Sequence, residues 1–162
     1  MTTVAWKDGV LAADKKASQG GSGYRVTKLF RTKTHAIAFA GELGYGMQFV
    51  EWFKSDRSQD CPLTSDADVT VLVMSLETGT CVQWECPGVP IPIEDSFCAI
   101  GSGQDLAVGA MSFGATAIEA VECASAWDNA SGLGLNYARS QPHIKRWGKK
   151  IKRSVLMDHE TR

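Results

Sequence analysis

The sequence predicts a single α+β domain in which antiparallel sheets carry helices on their outer faces. Strand patterns and helix patterns come in separate runs along the 162 residues, which favours antiparallel sheets with helices packed outside them. The segments AIAFA and VTVLVM are apolar on both faces, so both strands should be covered on both sides. A chain of this length can bury a sizeable core, and one domain is expected.

The first element is a β-hairpin whose register can be counted. TTVAW and VLAAD flank Asp8-Gly9, the dipeptide best suited to a type I′ turn because both central residues need a positive φ. A two-residue turn at that position pairs the strands residue by residue, from Lys7 opposite Val10 to Thr3 opposite Asp14. Alternation then separates the side chains of neighbouring residues onto opposite faces of the sheet.

The later elements follow from local patterns in the same way. KKASQGGSGYRV is predicted as a glycine-rich connection, and KLFRT and HAIAFAG as a second pair of strands. Apolar residues at helical spacing predict a helix from Glu42 to about Lys54, followed by the polar loop SDRSQDCPLTSDAD. VTVLVMS and TCVQWEC form another hairpin, ECPGVPIPIED is extended, and SFCAIG is a strand. Two helices over about 104–113 and 115–127 follow, and DNASGLGLN leads into a last strand.

The charge is divided unevenly along the chain. Residues 1–135 have a balance of −7 and residues 136–162 a balance of +6. The sequence is therefore divided into a domain over 1–140 and a basic C-terminal tail over 141–162, in which Ile144, Trp147 and Ile151 interrupt the basic run. The favoured interpretation is a solvated helix whose apolar residues dock on the body. Contact with nucleic acid or an acidic partner is the less favoured alternative.

Composition excludes several classes of function. The five cysteines form no CxxC pair and the three histidines show no metal-ligand spacing, so reduced thiols are expected and neither a metal site nor a cofactor. No apolar run is long enough to cross a bilayer, and the first residues lack a signal-peptide pattern. A cytoplasmic protein without a membrane partner is the expectation.

The hairpin start carries the residues with the clearest chemistry. Methionine is normally removed before a small residue, which would give Thr2 both a hydroxyl and a free α-amine. An α-amine has an ordinary pKa of about 7.7–8.0 and can act as base for the hydroxyl of its own residue. Asp14 lies on a strand that should be buried, so it needs a partner, which Lys28 could provide. The Lys28 ammonium would also lower the pKa of the amine. Each residue alone has a structural explanation; together they point to catalysis.

The same residues resemble the opening of proteasome β-type subunits and of the bacterial HslV peptidase, which are N-terminal-nucleophile hydrolases with a threonine nucleophile. TTVAWKDGVLAADKKAS carries this likeness, and KLFR, AIAFAG, FCAIGSGQDLAVGAM and WDNASG match further family segments in order. The resemblance covers roughly residues 2–135. It implies a four-layer αββα sandwich with Thr2 in the cleft between the sheets.

The resemblance also implies a role for each matched residue. Thr2 is the implied nucleophile, Lys28 held by Asp14 tunes the proton transfer, and the N–H of Gly41 stabilises the oxyanion. The remaining implied residues support the α-amine or bind substrate, with an apolar side chain expected in the specificity pocket. The supporting residues are Ser102, Asp128 and Ser131, the pocket residues are Ala17, Val26, Phe39 and Leu43, and the backbone of Ser18 pairs with bound peptide.

The stretch between Gly41 and Val69 departs from the family, because it has room for one helix and a loop where two long helices are usual. The first hairpin is also four residues shorter than usual, two from each strand, which preserves its register. The family further implies peptide or unfolded-protein substrates, a homo-oligomeric ring and an ATPase unfoldase partner. Two alternatives stay open: an amidase of the same fold acting on small amides, and an inactive proteasome-like binding module.

Overall fold

The computed structural model describes residues 2–141. Met1 and residues 142–162 lie outside the described residues, and with them the expectations for methionine removal and for nearly all of the basic tail. Three helices and eleven strands follow one another in the described part of the chain. They are β1 (Thr3–Lys7), β2 (Val10–Asp14), β3 (Lys16–Gln19), β4 (Ser22–Arg25), β5 (Leu29–Arg31), β6 (His35–Gly41), α1 (Leu43–Lys54), β7 (Val69–Ser75), β8 (Cys81–Glu85), β9 (Val89–Pro92), β10 (Phe97–Gly101), α2 (Gln104–Ser112), α3 (Ala117–Trp127) and β11 (Leu135–Arg139). None of the helices over residues 2–141 is long and apolar enough to span a bilayer.

The elements stack in four layers, in the order helix, sheet, sheet, helix. One sheet has the strand order β10-β1-β2-β11 and the other the order β5-β6-β7-β8-β9, with antiparallel neighbours throughout. The helix α1 packs on the outer face of the five-stranded sheet, and α2 and α3 cover the four-stranded one. Apolar side chains between the sheets form the central core. The predicted α+β architecture, with helices outside antiparallel sheets, is therefore confirmed.

Both faces of strand β6 are apolar because each face packs into a different core. Ala36, Ala38 and Ala40 point into the core between the two sheets, whereas Ile37 and Phe39 point into the core beneath α1. Small side chains on the inner face let the two sheets approach closely. Large ones on the outer face fill the space under the helix, where each contributes roughly 1.5–3 kcal/mol by burial.

The first hairpin has the register counted from its turn. Lys7 faces Val10 and Val4 faces Ala13, and Asp8 and Gly9 both have positive φ, at 49° and 71°, as a type I′ turn requires. At the open end of the hairpin, the backbone N–H of Thr3 donates to Asp14 Oδ1 at 2.9 Å. The turn therefore determines which residues meet at the start of the chain.

Two segments contain strands that the patterns did not predict. The glycine-rich connection forms a two-stranded sheet, β3 with β4, turning at Gly20 and Gly21, which both have positive φ. Strand β9 pairs with β8 at the edge of the larger sheet. Nearly all residues of β3, β4 and β9 are exposed, so no alternation of buried and exposed residues marks them in the sequence.

The helical layer brings two loops to the start of β1. Strand β10 pairs with β1 so that Gly101 faces Thr3, and α2 begins directly afterwards. A capping box of Thr116 and Glu119 starts α3, and Asp128 is the C-cap residue that follows its last residue, Trp127. Ser102, just after β10, donates to Asp128 at the end of α3. The loops after β10 and α3 therefore meet beside the start of β1.

Candidate active site

The hydroxyl of Thr2 lies at the centre of a buried polar cluster. Thr2 is almost fully buried, and the Nζ of Lys28 donates to Thr2 Oγ1 at 2.7 Å. The same ammonium donates to Asp14 Oδ1 at 2.9 Å and to the backbone oxygen of Lys16 at 2.6 Å. All three protons of the ammonium are therefore used, and one of them points at the oxygen that would develop negative charge on deprotonation.

Asp14 is a fully buried carboxylate with both oxygens saturated. Oδ1 accepts from Thr3 N and Lys28 Nζ, and Oδ2 accepts from the backbone N–H groups of Lys16 and Gly132, each at 2.9 Å. A buried charge needs such partners because the interior solvates it poorly. These bonds fix the carboxylate, which in turn holds Lys28 against Thr2.

Lys28 experiences two opposed influences on its pKa. Burial lowers the pKa of its ammonium, and the charge and hydrogen bond of Asp14 raise it; burial is the larger, so the pKa lies below its ordinary value. A lysine in this state holds its proton less tightly than an exposed one. Its charge can stabilise a nearby alkoxide, and its lowered pKa allows it to take part in proton transfer.

A second carboxylate lies on the other side of the chain start. Asp128 Oδ2 accepts from the hydroxyls of Ser102 and Ser131, both at 2.6 Å, and Oδ1 accepts from Ala130 N at 3.0 Å. Burial works to raise the pKa of Asp128, but the hydrogen bonds from the two serines and from Ala130 N, together with the charge of Lys16, outweigh it and hold the pKa below its ordinary value. Ser102 also donates its backbone N–H to Thr2 O at 2.9 Å.

Thr3 joins the two carboxylate clusters, a role that the sequence reasoning missed. Its backbone binds Asp14, and its fully buried Oγ1 lies 2.6 Å from the Oγ of Ser131. The available signal was strand alternation, which sends the side chains of Thr2 and Thr3 to opposite faces of β1. What the sequence could not indicate was that the loop after α3 would reach that second face.

Gly41 presents its backbone N–H toward the cleft. The N–H of Glu42 donates to Asp68 O, so the facing pair Gly41 and Val69 is a non-hydrogen-bonded pair of the antiparallel ladder. The N–H of Gly41 therefore points away from β7, to the side where Phe39 N donates to Lys28 O. Strand β5 begins only at Leu29, and among residues 2–141 no backbone partner accepts from Gly41 N.

A cleft of about 480 Å³ opens beside Thr2 and Gly41. Of the residues implied for substrate binding, Ala17, Ser18 and Leu43 line it. Further lining comes from Lys16, Gln19, Tyr24, Glu42 and Gly44. The lining is therefore more polar than the apolar pocket expected from the sequence.

The other two residues implied for the specificity pocket lie elsewhere. Phe39 is fully buried in the core beneath α1, stacked on Phe30 with the ring centroids 6.4 Å apart. Gly46 of α1 packs so closely that a Cβ there would overlap the Phe39 ring. Val26 is half-buried and donates its N–H to Lys15 O. Among residues 2–141, neither Phe39 nor Val26 lines the cleft.

Solved structures share this fold, although the sequence matches no protein-family model and no curated protein. Thiobacillus denitrificans BPH superposes with a TM-score of 0.64 at 20% identity, covering 87% of this chain and 98% of that one. The same protein in complex with epoxomicin gives 0.63 at 20% identity, over 87% and 99% of the chains. Eukaryotic HslV from Trypanosoma brucei gives 0.62 at 19% identity, over 85% and 97%. The chain therefore has the αββα sandwich fold that these structures share.

Proposed function

We propose that this chain, which shares its fold with HslV, is a threonine endopeptidase whose nucleophile is Thr2 once Met1 has been removed. The observation that carries the proposal is the 2.7 Å hydrogen bond from the buried Lys28 ammonium to Thr2 Oγ1. A threonine that serves only as a strand residue has no need of a buried lysine at its hydroxyl. A buried ion pair is expensive to maintain, so its position against one hydroxyl favours a chemical role.

The proposed reaction starts with proton transfer from the Thr2 hydroxyl to the free α-amine of the same residue. Oγ1 then attacks the peptide carbonyl carbon and forms a tetrahedral intermediate. When this collapses, the C–N bond breaks, the ammonium returns the proton to the leaving amine, and an ester to Thr2 remains. Water, activated by the same amine, hydrolyses the ester and restores the hydroxyl.

Two groups stabilise negative charge in this scheme. Lys28 Nζ stabilises the oxygen of Thr2 as the proton leaves. The N–H of Gly41 stabilises the oxyanion, aided by the N-terminus of α1, whose first residues line the same cleft. Helix N-termini carry partial positive charge, and one such oxyanion donor typically contributes about 10²–10³ in rate.

The open edge of β3 supports a peptide substrate over a small amide. Val26 N donates to Lys15 O, so Lys16 facing Arg25 and Ser18 facing Gly23 are non-hydrogen-bonded pairs. The N–H and C=O of Ser18 therefore point away from β4, at the cleft beside Thr2. An extended peptide could bind them as an added strand.

The proposal includes assembly into a homo-oligomeric ring that receives unfolded chains from an ATPase unfoldase. Large apolar side chains on the helical layer support an interface there, since Phe113 is 97% exposed and Trp127 78% exposed. Native mass spectrometry should give an oligomer, and serine at both positions should shift it to smaller species. The isolated protein should cleave an unfolded protein but spare a folded one. A monomer that cleaves both equally would contradict this part of the proposal.

The central test is the intact mass of the purified protein before and after incubation with a peptide epoxyketone. This reagent carries a ketone beside an epoxide, two electrophiles for the hydroxyl and the α-amine of one N-terminal threonine. The expected result is loss of the methionine mass and one adduct per chain. Thr2→Ala is the matched control, because alanine is also small enough to permit methionine removal.

Thr2→Ala should fold, lose the adduct and stop hydrolysing peptides. Peptidase activity retained by this variant would refute the nucleophile assignment. A wild-type chain that keeps its methionine and takes no adduct would refute the proposed function for the protein in that form.

A further inference from the structure

We propose that the side-chain hydroxyl of Thr3 is a positioning group that holds the Ser102–Asp128–Ser131 cluster in register with the Asp14–Lys28 pair. The inference rests on the proposed function, in that both clusters act on Thr2. It concerns a residue that does not itself contact substrate.

The hydrogen bonds form a closed circuit around the chain start. On one side it runs from Thr2 Oγ1 through Lys28 and Asp14 to the backbone N–H of Thr3, over 2.7, 2.9 and 2.9 Å. On the other it runs from Thr3 Oγ1 through the hydroxyl of Ser131 to Asp128 Oδ2, over two bonds of 2.6 Å. From Asp128 it returns through Ser102 to Thr2 O. Thr3 belongs to both halves, and the backbone N–H of Gly132, next to Ser131, makes a second link to Asp14 Oδ2.

The direction of the protons in this circuit follows from the charge of Asp128. A carboxylate only accepts hydrogen bonds, so Ser131 must donate to Oδ2. Its single proton is then committed, and the proton in the 2.6 Å contact between Thr3 and Ser131 must come from Thr3. The hydroxyl of Thr3 therefore polarises Ser131, which strengthens the bond from Ser131 to Asp128.

The surrounding backbone leaves room for this arrangement at two glycines. A Cβ at Gly103 would overlap Thr3 Oγ1, and a Cβ at Gly101 would overlap Thr2 O. The Gly101-Ser102-Gly103 segment thus packs directly on both threonines. Because Thr3 is fully buried, water cannot replace its hydroxyl if it is removed.

The test is Thr3→Val, which keeps the shape and removes only the hydroxyl. The turnover number per adduct-forming site should fall about 10- to 100-fold with little change in KM, since small misplacements at a reacting centre have effects of this order. Thr3→Ser should recover most of the rate. Thr116→Val is the matched control: it removes the cap of α3, lowers stability, and leaves turnover per site unchanged.

A second measurement does not depend on activity. The pKa of the Asp128 carboxyl, followed by NMR, should rise in Thr3→Val relative to wild type and stay unchanged in Thr3→Ser and Thr116→Val. Unchanged turnover or an unchanged Asp128 pKa in Thr3→Val would overturn the inference. If wild type shows neither hydrolysis nor adduct while the Asp128 pKa responds as expected, the proposed function fails and the coupling through Thr3 stands.

Discussion

Lys28 Nζ and Asp14 Oδ1 lie 2.9 Å apart with both side chains completely excluded from water. The Lys54–Glu51 pair in α1 has the same 2.9 Å separation, but its side chains are 38% and 68% exposed. The two ion pairs have the same N···O distance and differ in burial. Comparing them therefore separates the cost of burying a charge from the benefit of pairing it.

Lys28→Ala should lower the free energy of unfolding by about 3–5 kcal/mol, because it leaves the Asp14 carboxylate buried without its cation. It should also abolish peptide hydrolysis. Lys54→Ala should cost no more than about 1 kcal/mol and leave hydrolysis unchanged. Urea denaturation and a peptidase assay measure both effects. Hydrolysis at the wild-type rate by Lys28→Ala would argue against a role for Lys28 in the reaction.

Ser131→Ala should make the protein more sensitive to acid. The folded-state pKa of Asp128 lies below its ordinary value of 3.8, so its ionised form stabilises the fold above that pH, and this stability is lost as pH falls through the lower folded pKa. Removing the donor from Ser131 raises the folded pKa toward 3.8, so the ionised carboxylate stabilises the fold less above that pH and the variant enters the acid range with lower stability. The midpoint of acid unfolding, followed by circular dichroism, should therefore shift to higher pH. Ser112→Ala removes an exposed hydroxyl bonded to Val108 O and should leave the midpoint where it is.

Gly41→Ala should destabilise the protein and reduce turnover by about 10²–10³ in the molecules that still fold. Gly41 has a φ of 115°, and a Cβ there would overlap Asp68 O, so β6 and β7 must separate and carry the oxyanion donor away. Gly20→Ala isolates the backbone strain, since its φ is also positive but no atom lies within 4 Å of the added carbon. Gly20→Ala should lower the free energy of unfolding by roughly 1–3 kcal/mol and retain turnover. Comparable losses of turnover in both variants would speak against an oxyanion donor at Gly41.

Ser18→Pro should raise KM for peptides roughly 3- to 10-fold, the equivalent of one lost hydrogen bond, with kcat little changed. The N–H of Ser18 points to the open edge of β3, so proline there removes a donor to substrate and no bond to β4. Ala17→Pro is the contrasting variant. Ala17 and Tyr24 form a hydrogen-bonded pair, so proline at this position should disrupt the β3–β4 hairpin itself. A KM for Ser18→Pro equal to that of wild type would mean that peptide does not bind this edge.

The sequence alone determined the features that depend on short-range counting. The Asp8-Gly9 turn sets the register that brings Thr3 to Asp14, because each residue of a two-residue hairpin has one possible partner once the turn is known. The double-sided apolar pattern of β6 likewise predicts a strand buried between two layers. These signals are local, so they can be read before the fold is known.

Only the tertiary structure decided which distant segments meet at the site. The bond from Thr3 to Ser131 joins residues 128 positions apart, and nothing in either local pattern specifies how the loop after α3 packs on β1. Phe39 lies in the core rather than the cleft because the close approach of α1 at Gly46 leaves its ring facing the helix. The strands β3 and β4 are exposed and carry no burial pattern, although the open edge of β3 borders Thr2. Register is set by covalent spacing, whereas contacts between loops and the lining of a cleft are set by how the layers pack.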